Sequence, residues 1–254
     1  MNKLINWVLD LLFPKFCLGC QKEGFYICSD CLAKIEINKF SNCFICGKRT
    51  ADNQVCSTCQ RKTKLTGLLI ASSWENLLLR QIIYEYKYRF IKDLSIPLSE
   101  LLVIFLNHSG FFTQHLPLDI DSYILIPIPL HKRRLIWRGF NQAELLAKQL
   151  NKYLKIPLVN NLIIRSRHTL PQMDISDKSK RIKNIANAFQ LNPEWSPGFS
   201  QRQESHPKGW SPVRGKIIIL IDDVCTTGST LEECAKILKP LKPKEIWGLV
   251  LARG

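Results

Sequence analysis

The residues best suited to ligand binding or catalysis lie in one stretch, which reads KIIILIDDVCTTGST from Lys216 to Thr230. Its adjacent carboxylates, Asp222 and Asp223, can accept hydrogen bonds from the hydroxyl groups of a polyol. Small hydroxyl residues around a glycine follow, and a helical pattern begins at Leu231. The free N–H groups and positive dipole end of a helix start favour phosphate. We therefore expect a site for an anion and a polyol, with the phosphate held by Thr226, Thr227, Gly228, Ser229 and Thr230.

Two predicted strands place candidate ligand-binding residues at one edge of a sheet. The continuous apolar run Ile217–Ile221 indicates a strand that is buried on both faces, as in a parallel sheet. A second strand, Tyr123–Pro129, is followed by a basic loop, an amphipathic helix over 143–154 and a short strand at Leu162–Ile164, and this order predicts a βαβ unit. Ligands of parallel sheets bind outside the carboxyl ends of the strands. The basic residues expected at that edge are His131, Lys132, Arg133, Arg134 and Arg138.

Eight of the ten cysteines form four CxxC pairs near the N-terminus. Each pair curls so that two thiolates meet one ion, and two pairs complete a tetrahedral Zn²⁺ shell with no open position. We therefore predict two structural zinc ions rather than disulfides. Sequential sharing of the pairs is the simpler arrangement, and the alternating arrangement of cross-brace modules stays open. The predicted ligands are Cys17, Cys20, Cys28, Cys31, Cys43, Cys46, Cys56 and Cys59.

These patterns divide the chain into two predicted domains. Residues 1–64 hold an N-terminal helix and the cysteine pairs, with too few apolar residues for a core of their own, so that metal must supply folding energy. Residues 65–254 form an α/β domain, in which the Pro, Gly and Ser-rich segment 193–215 is an exposed insertion of low structural content. Its further predicted elements are a strand at Leu68–Trp74, helices at Leu77–Phe90, Leu98–Asn107 and Leu231–Leu241, and a final strand at Glu245–Leu251.

The charge of the chain is uneven. The formal net charge is +15, and residues 121–254 carry twenty-two Lys and Arg against eleven Asp and Glu. This excess favours phosphate-bearing partners, with a merely solvated basic surface as the alternative. The first fourteen residues have an apolar helical face but no cleavage site, and they fall short of the roughly 20 residues that span a membrane. We expect a docked surface helix, or else a membrane-surface contact, on a cytoplasmic protein without a transmembrane segment.

The sequence LIDDVCTTGST resembles the phosphoribosyl diphosphate (PRPP) signature of the type I phosphoribosyltransferases. Together with the four CxxC pairs and the segment IPIPLHKRRLIWRGFNQ, it makes nearly the whole chain, apart from 193–215, similar to the ComF family. The resemblance implies an α/β protein in which a small N-terminal double zinc ribbon precedes a type I phosphoribosyltransferase-like domain, with a mostly parallel sheet flanked by helices. It also implies a cytoplasmic protein that assists the uptake of single-stranded transforming DNA, close to the membrane and alongside a helicase-like ATPase.

The same resemblance assigns roles to the candidate residues. Asp222 and Asp223 would be catalytic, since they would contact ribose hydroxyls and order Mg²⁺ with PRPP. The turn 226–230 would hold the 5-phosphate of PRPP or of another phosphorylated ribose. Residues Arg165–Arg181 would form a flexible loop over the site, with Gln172 and Arg181 as its candidate residues. The pyrophosphate would be bound by Leu130, His131, Lys132, Arg133, Arg134 and Arg138.

Three functions stay open at this point. The first is a competence protein that assists DNA uptake and binds phosphate groups in the PRPP-type site; Trp137 and Phe140 beside cations favour it, because aromatic stacking suits single strands. The second is an active phosphoribosyltransferase in nucleotide or base salvage, although no segment resembles a nucleobase-recognition hood. The third is a non-catalytic zinc-ribbon adaptor for a DNA-translocating ATPase. The sequence leaves open whether the chain is an enzyme, because a fold does not fix an activity.

Overall fold

The computed structural model describes residues 14–113, 119–169, 177–194 and 212–254. The predicted N-terminal helix, Gln172 and most of the predicted insertion 193–215 lie outside these ranges. Among the described residues, no helix is long and apolar enough to cross a bilayer.

The helices and strands follow one another along the chain in an α/β pattern. The strands are β1 (Gly67–Ser73), β2 (Tyr123–Pro127), β3 (Ile163–Arg165), β4 (Phe189–Leu191), β5 (Ile217–Ile221), β6 (Val224–Cys225) and β7 (Glu245–Arg253). The helices are α1 (Ser29–Ala33), α2 (Leu77–Tyr88), α3 (Ser95–His108), α4 (Lys132–Arg138), α5 (Gln142–Leu154), α6 (Lys178–Ile185) and α7 (Ser229–Leu238).

A parallel sheet forms the centre of the protein. Its strands lie in the order β1, β7, β5 and β2, every neighbouring pair is parallel, and β6 pairs with the end of β7. Along β5, Ile217, Ile219 and Ile221 face one hydrophobic core, whereas Ile218 and Leu220 face another. Helices α2, α3 and α5 cover the first face, and α7 covers the second. The burial of β5 on both faces confirms the prediction of a parallel-sheet strand.

The predicted βαβ unit is right in outline but wrong in its second strand. The predicted strand at Leu162–Ile164 corresponds to β3, which leaves the parallel sheet and pairs antiparallel with β4. The chain after α5 instead runs parallel to β2 at residues 157–159, where the Leu125 N–H donates to the Pro157 carbonyl at 2.8 Å and the Val159 N–H donates to the Leu125 carbonyl at 2.9 Å. A proline is tolerated there because this segment lies at the edge of the sheet.

The basic segment after β2 is a helix, and the prediction of a loop there was wrong. Helix α4 begins after His131, whose Nδ1 accepts a hydrogen bond from the Arg133 N–H at 3.3 Å. It ends at Gly139, which takes a left-handed conformation with φ of 75°. None of its seven residues is buried, so the sequence shows no apolar periodicity from which a helix could be predicted.

The cysteine-rich segment covers the open edge of the sheet. On the outer side of β1, the Asn38 N–H donates to the Ala71 carbonyl at 2.8 Å, and the Leu68 N–H donates to the Asn53 carbonyl at 3.2 Å. These bonds satisfy backbone groups that an edge strand would otherwise expose. The first cysteine group packs on one face of the sheet and the second on the other.

The apolar residues of this segment therefore share the cores of the main sheet. The expectation that metal supplies its folding energy accounts for only part of its stabilisation, because burial against the sheet contributes as well. The division of the chain at residues 64 and 65 stays a prediction. The buried apolar residues that the segment contributes, besides its cysteines, are Ile27, Leu32, Ile35, Phe44 and Val55.

Gly67 marks the closest approach between β1 and its neighbours. A Cβ atom there would lie 2.3 Å from Trp247 Cζ3 and 2.4 Å from the Asn53 carbonyl oxygen. We predict that Gly67→Ala lowers the free energy of unfolding by about 1–3 kcal/mol, because overpacking would force the strand away from buried neighbours. Urea denaturation followed by circular dichroism measures this loss.

Gly24→Ala is the control for backbone strain without crowding. Gly24 has a φ of +99°, and a Cβ atom there would have nothing within 4 Å. A Gly67→Ala variant as stable as the parent would contradict the packing argument, whereas Gly24→Ala measures the cost of backbone strain alone.

Candidate functional site

A cleft of about 630 Å³ opens at the carboxyl ends of β2 and β5. It brings together the acidic pair, the phosphate turn and the basic segment that the sequence predicted at one edge. Of the predicted site residues, those that line it are Leu130, Arg133, Arg134, Arg138, Arg181, Asp222, Asp223, Thr226, Gly228 and Thr230. Lining residues that the sequence pattern did not single out include Trp74, Lys87, Tyr88, Arg165 and His168.

The acidic pair lies between two strands that share one register along β7. Ile221 pairs with Leu249 and Val224 pairs with Ala252, so the chain passes through Asp222 and Asp223 without an inserted residue. The Asp223 N–H donates to Asp222 Oδ1 at 2.9 Å, and the Val224 N–H donates to Asp223 Oδ1 at 2.6 Å. These bonds fix the two carboxylates at the mouth of the cleft.

Lys87 is the residue of the acidic site that sequence reasoning missed. Its Nζ lies 2.8 Å from Asp223 Oδ1, and both side chains are largely buried. Lys87 reaches the site from α2, which is distant in sequence from β5, so no local pattern links it to the acidic pair. The only indication in the sequence was that Lys87 lies next to the apolar positions of α2, where a lysine is expected to face solvent.

The electrostatics of the pair raise the pKa of Asp222 into the neutral range. Burial, and then the neighbouring Asp223 carboxylate, raise the pKa of Asp222 to about 7. The Lys87 ammonium opposes this shift without cancelling it. A cation or a set of hydroxyl donors in the cleft would therefore stabilise the ionised form of Asp222.

The phosphate turn ends at the start of α7. Gly228 is the N-cap residue of this helix, with φ of 82°, and no side chain caps the helix start. Thr227 and Ser229 bond to each other instead, with the Thr227 hydroxyl donating to Ser229 Oγ at 2.9 Å. These two predicted residues shape the turn, whereas Thr226 and Thr230 line the cleft.

Three arginines, two from α4 and one from the end of β3, form the basic wall of the cleft. Arg134 Nη2 donates to the Thr169 carbonyl at 2.9 Å, and Arg165 Nη2 donates to Thr169 Oγ1 at 2.5 Å. Arg138 Nη1 donates to Gln142 Oε1 at 2.8 Å. Burial and the Arg134 guanidinium lower the pKa of Arg165 to about 10, which reflects the cost of holding cations together.

Several buried donors in this wall have no partner within the described protein. They are Nε of Arg138, Nε of Arg165 and Nε2 of Gln142, and all three residues line the cleft. A buried donor without an acceptor costs about 1–3 kcal/mol. An anion in the cleft would supply the acceptors, so the residues present fit a phosphate or pyrophosphate ligand.

The other predicted residues of the basic segment do not line the cleft. His131 is buried, with its ring 5.1 Å from that of His168, and burial lowers its pKa. Lys132 is exposed. Phe140, which the sequence favoured for stacking on nucleic acid, is instead a core residue packed 5.5 Å from the Tyr86 ring, so that prediction was wrong. Trp137 is 60% exposed, as stacking requires.

The eight predicted zinc ligands form two groups of four in the sequential arrangement. The groups are Cys17, Cys20, Cys28 and Cys31, and Cys43, Cys46, Cys56 and Cys59.

The geometry of these groups fits tetrahedral zinc. Within each group the sulfur atoms lie within 4.8 Å of one another. Cys17 and Cys28 have their sulfurs 3.7 Å apart, and Cys46 and Cys56 have theirs 3.6 Å apart. Zn–S bonds of about 2.3 Å in a tetrahedron require sulfurs roughly 3.8 Å apart. Four thiolates close each shell, which identifies both sites as structural.

The second zinc group also contacts the phosphate turn. Phe44 lies inside the loop between Cys43 and Cys46, and its ring carbon Cε2 would be 3.2 Å from a Cβ atom on Gly228. Glu232, in the first turn of α7, accepts hydrogen bonds from the Thr63 hydroxyl and, at 3.0 Å, from the Lys64 N–H. The ribbon therefore supports the helix start that would hold phosphate.

Comparisons with known proteins agree with this architecture. Family models for a double zinc ribbon domain and a phosphoribosyl transferase domain match residues 8–60 and 139–254. Competence protein F of Haemophilus influenzae is 32% identical over 93% of this chain and 90% of its own length. DNA utilization protein YhgH of Escherichia coli O157:H7 is 30% identical over 90% of this chain and 92% of its own. Competence protein ComFC of Bacillus subtilis is 29% identical over 94% of this chain and 90% of its own.

We predict that Phe44→Ala weakens binding of ribose 5-phosphate about three- to tenfold while the zinc content stays near two per chain. The reason is that removing the ring withdraws support from Gly228 but leaves all eight thiolates in place. Calorimetric titration measures the affinity, and elemental mass spectrometry measures the zinc. Phe25→Ala, at an exposed aromatic residue of the first zinc group's segment, is the matched control. Equal losses in both variants would contradict the proposed support, and zinc near zero in the parent protein would overturn the metal assignment.

We also predict that Asp222 makes the protein less stable as the pH rises toward 7. Its folded-state pKa of about 7 lies above the ordinary value, so the folded protein holds this proton more tightly than the unfolded chain does. The stabilisation is complete below the ordinary pKa of about 4 and is lost as the pH rises through about 7. Asp222→Asn should remove this slope. Urea denaturation at pH 5.5 and pH 8 without added divalent ions tests it, with exposed Asp119→Asn as the control; an unchanged slope would contradict the assignment.

Proposed function

The chain belongs to the ComF family, and on that premise we propose that it assists the uptake of single-stranded transforming DNA and binds phosphate groups in a PRPP-type cleft. Two of its relatives are named as competence proteins, and a third is named as a DNA utilization protein. We further propose that it acts in the cytoplasm, close to the membrane, where thiols remain reduced and available to zinc.

The observation that carries the proposal is the meeting of three kinds of group in one cleft. Asp222 and Asp223 offer acceptors for hydroxyls, the turn before α7 offers N–H groups, and the arginine wall offers unpaired buried donors. A phosphorylated ribose needs all three kinds of contact, whereas a simple anion site needs no carboxylates. The proposed ligand class for the whole cleft is therefore PRPP or another phosphorylated ribose. DNA phosphates would use only the arginine wall, because a sugar inside a DNA strand has no free hydroxyl group.

The acidic pair is proposed to contact the ribose hydroxyls and the Mg²⁺ that accompanies PRPP. Lys87 Nζ at 2.8 Å from Asp223 Oδ1 supports this, since it marks a position where the site stabilises positive charge. Mg²⁺, when bound, neutralises charge on the pyrophosphate. Asp222 would ionise on binding, because a cation lowers its raised pKa.

The remaining contacts follow the two walls of the cleft. Thr226 and Thr230, with the N–H groups of the turn, would hold the 5-phosphate. Arg133, Arg134 and Arg138 would hold the pyrophosphate, since guanidinium groups make paired contacts to phosphate oxygens. Arg181 lines the same cleft and would approach the ligand from α6.

Phosphoribosyl transfer is the second candidate function. It is favoured by the complete acidic pair and phosphate turn, together with the aromatic residues Trp74 and Tyr88, which could contact an acceptor base in the same cleft. Transfer through an oxocarbenium-like centre requires positioning and stabilisation of the leaving pyrophosphate, both of which the arginine wall could supply. Release of pyrophosphate from PRPP across a panel of bases would establish it, and no turnover with any base would count against it.

The proposed macromolecular partners are single-stranded DNA and a helicase-like ATPase. We predict that the full chain binds a single-stranded oligonucleotide with an affinity that falls steeply with salt. A slope of about −3 in log K against log salt would correspond to roughly four phosphate contacts. Fluorescence anisotropy across a salt series measures it, and duplex DNA of the same length is the control. Binding that ignores salt, or no binding, would overturn the DNA role.

The combined variant Asp222→Asn/Asp223→Asn tests whether the cleft serves that role. We predict at least a hundredfold loss of PRPP affinity, because hydrogen bonds to charged groups contribute about 1.5–3 kcal/mol each. Transformation frequency should fall as well, measured by complementation in a transformable host that lacks its own homologue. Asp119→Asn/Asp121→Asn, at exposed positions before β2, is the matched control. Normal transformation with the cleft variant and loss with Cys56→Ser would instead favour the adaptor function.

A further inference from the structure

A strip of exposed aromatic residues leads away from the cleft along helix α2. Tyr84 is 54% exposed, and its ring lies 5.0 Å from that of Tyr88 on the next turn. Leu77, two turns earlier on the same side, is 75% exposed. The opposite side of α2 is fully occupied by the core residues Leu79, Ile82, Ile83 and Tyr86. Packing in the core therefore explains why the buried side of this helix is apolar, but it does not explain why the exposed side carries aromatic residues.

The strip lines a second cavity that adjoins the cleft. This cavity has a volume of about 330 Å³ and shares Trp74, Lys87 and Tyr88 with the cleft. A ligand that follows the surface from one cavity to the other would pass Lys87, which pairs with Asp223. The two cavities therefore adjoin at these three residues, one of which pairs with a member of the acidic pair.

Cations lie beside the aromatic rings of these two cavities. The Arg80 guanidinium is 5.7 Å from the centre of the Trp74 ring. The Arg138 guanidinium is 5.7 Å from the centres of both the Tyr88 and Trp137 rings. No acidic residue lines the second cavity among the described residues. Aromatic rings interleaved with cations and free of carboxylates are typical of surfaces that bind single-stranded nucleic acid.

We propose that this aromatic strip, defined as Trp74, Arg80, Tyr84, Tyr88 and Trp137, stacks the bases of single-stranded DNA whose backbone reaches the phosphate cleft. The proposal rests on the DNA-binding function proposed above and specifies its site. Rings held on α2, on α4 and just after β1 provide flat faces to which any base can stack, so the strip would bind without sequence preference. An acidic or apolar protein partner would fit less well, because two guanidinium groups lie beside the rings and could contact backbone phosphates.

The test measures binding of a fluorescein-labelled oligothymidylate by the full chain, with Tyr84 as the main position. Tyr84 does not line the phosphate cleft, so its replacement should leave pyrophosphate affinity unchanged. Tyr84→Ala should weaken DNA binding about five- to hundredfold, which is the range expected for the loss of one stacked base. Tyr84→Phe, which keeps the ring, should bind as the parent does.

The salt dependence separates stacking from charge. Tyr84→Ala should keep the parent's slope of log K against log salt, because it removes no charge. Arg80→Gln should reduce the slope by about 0.7, the value for one phosphate contact on a single strand. Tyr153→Ala is the matched control, because Tyr153 is a 41% exposed tyrosine on α5, outside the strip, and it should bind as the parent does.

The outcomes separate a failure of the proposed DNA site from a failure of the proposed DNA-binding function. If the parent binds DNA and Tyr84→Ala binds equally well, the strip is not the DNA site, although the proposed function stands. If Tyr84→Ala lowers transformation without changing DNA affinity, the strip serves a protein partner and the inference is overturned. If the parent itself does not bind, the proposed DNA function fails and the inference fails with it. Unchanged thermal melting of the Tyr84 variants shows that any loss is not due to unfolding.

Discussion

The open edge of the parallel sheet is the constraint on which this structure depends. Strand β1 lies at that edge and would expose a row of backbone hydrogen-bonding groups, which are costly when buried and prone to mispairing when exposed. The zinc ribbon satisfies them through Asn38 and Asn53 and packs one cysteine group against each face of the sheet. The zinc ribbon is therefore packed into the α/β fold and covers one edge of its sheet.

The same ribbon links metal binding to the candidate site. Phe44 supports Gly228 at the start of α7, and Glu232 on the same helix binds the backbone beyond the last cysteine. Because the phosphate turn is a short loop whose N–H groups must point at the ligand, small shifts of the helix start would weaken binding. The zinc groups thus act on the cleft through packing, because none of their eight cysteines is among the described residues that line it.

The cleft itself concentrates groups that are unfavourable without a ligand. Among the described residues, two adjacent carboxylates are stabilised by Lys87 and Arg165, three arginines lie close together in the basic wall, and several buried donors lack acceptors. Such an arrangement costs stability in the empty protein and is offset when an anion and a cation bind together. The aromatic strip extends this site onto the surface of α2, so that adjoining cavities hold groups suited to phosphate, sugar and base.

The features that could be predicted from the sequence are those that are local in the chain. The four CxxC pairs, the strand–acid–hydroxyl pattern of residues 216–230 and the family resemblance predicted the zinc groups, the parallel sheet and the phosphate turn, because ligand spacing and strand periodicity depend on near neighbours. The distant residues that join these features depend on how the chain packs. Lys87 reaches Asp223 from α2, Phe44 reaches Gly228, and Phe140 turns into the core rather than toward DNA. Those contacts arise from how the helices and the ribbon pack on the sheet, and packing between distant segments leaves no periodic signal in the sequence.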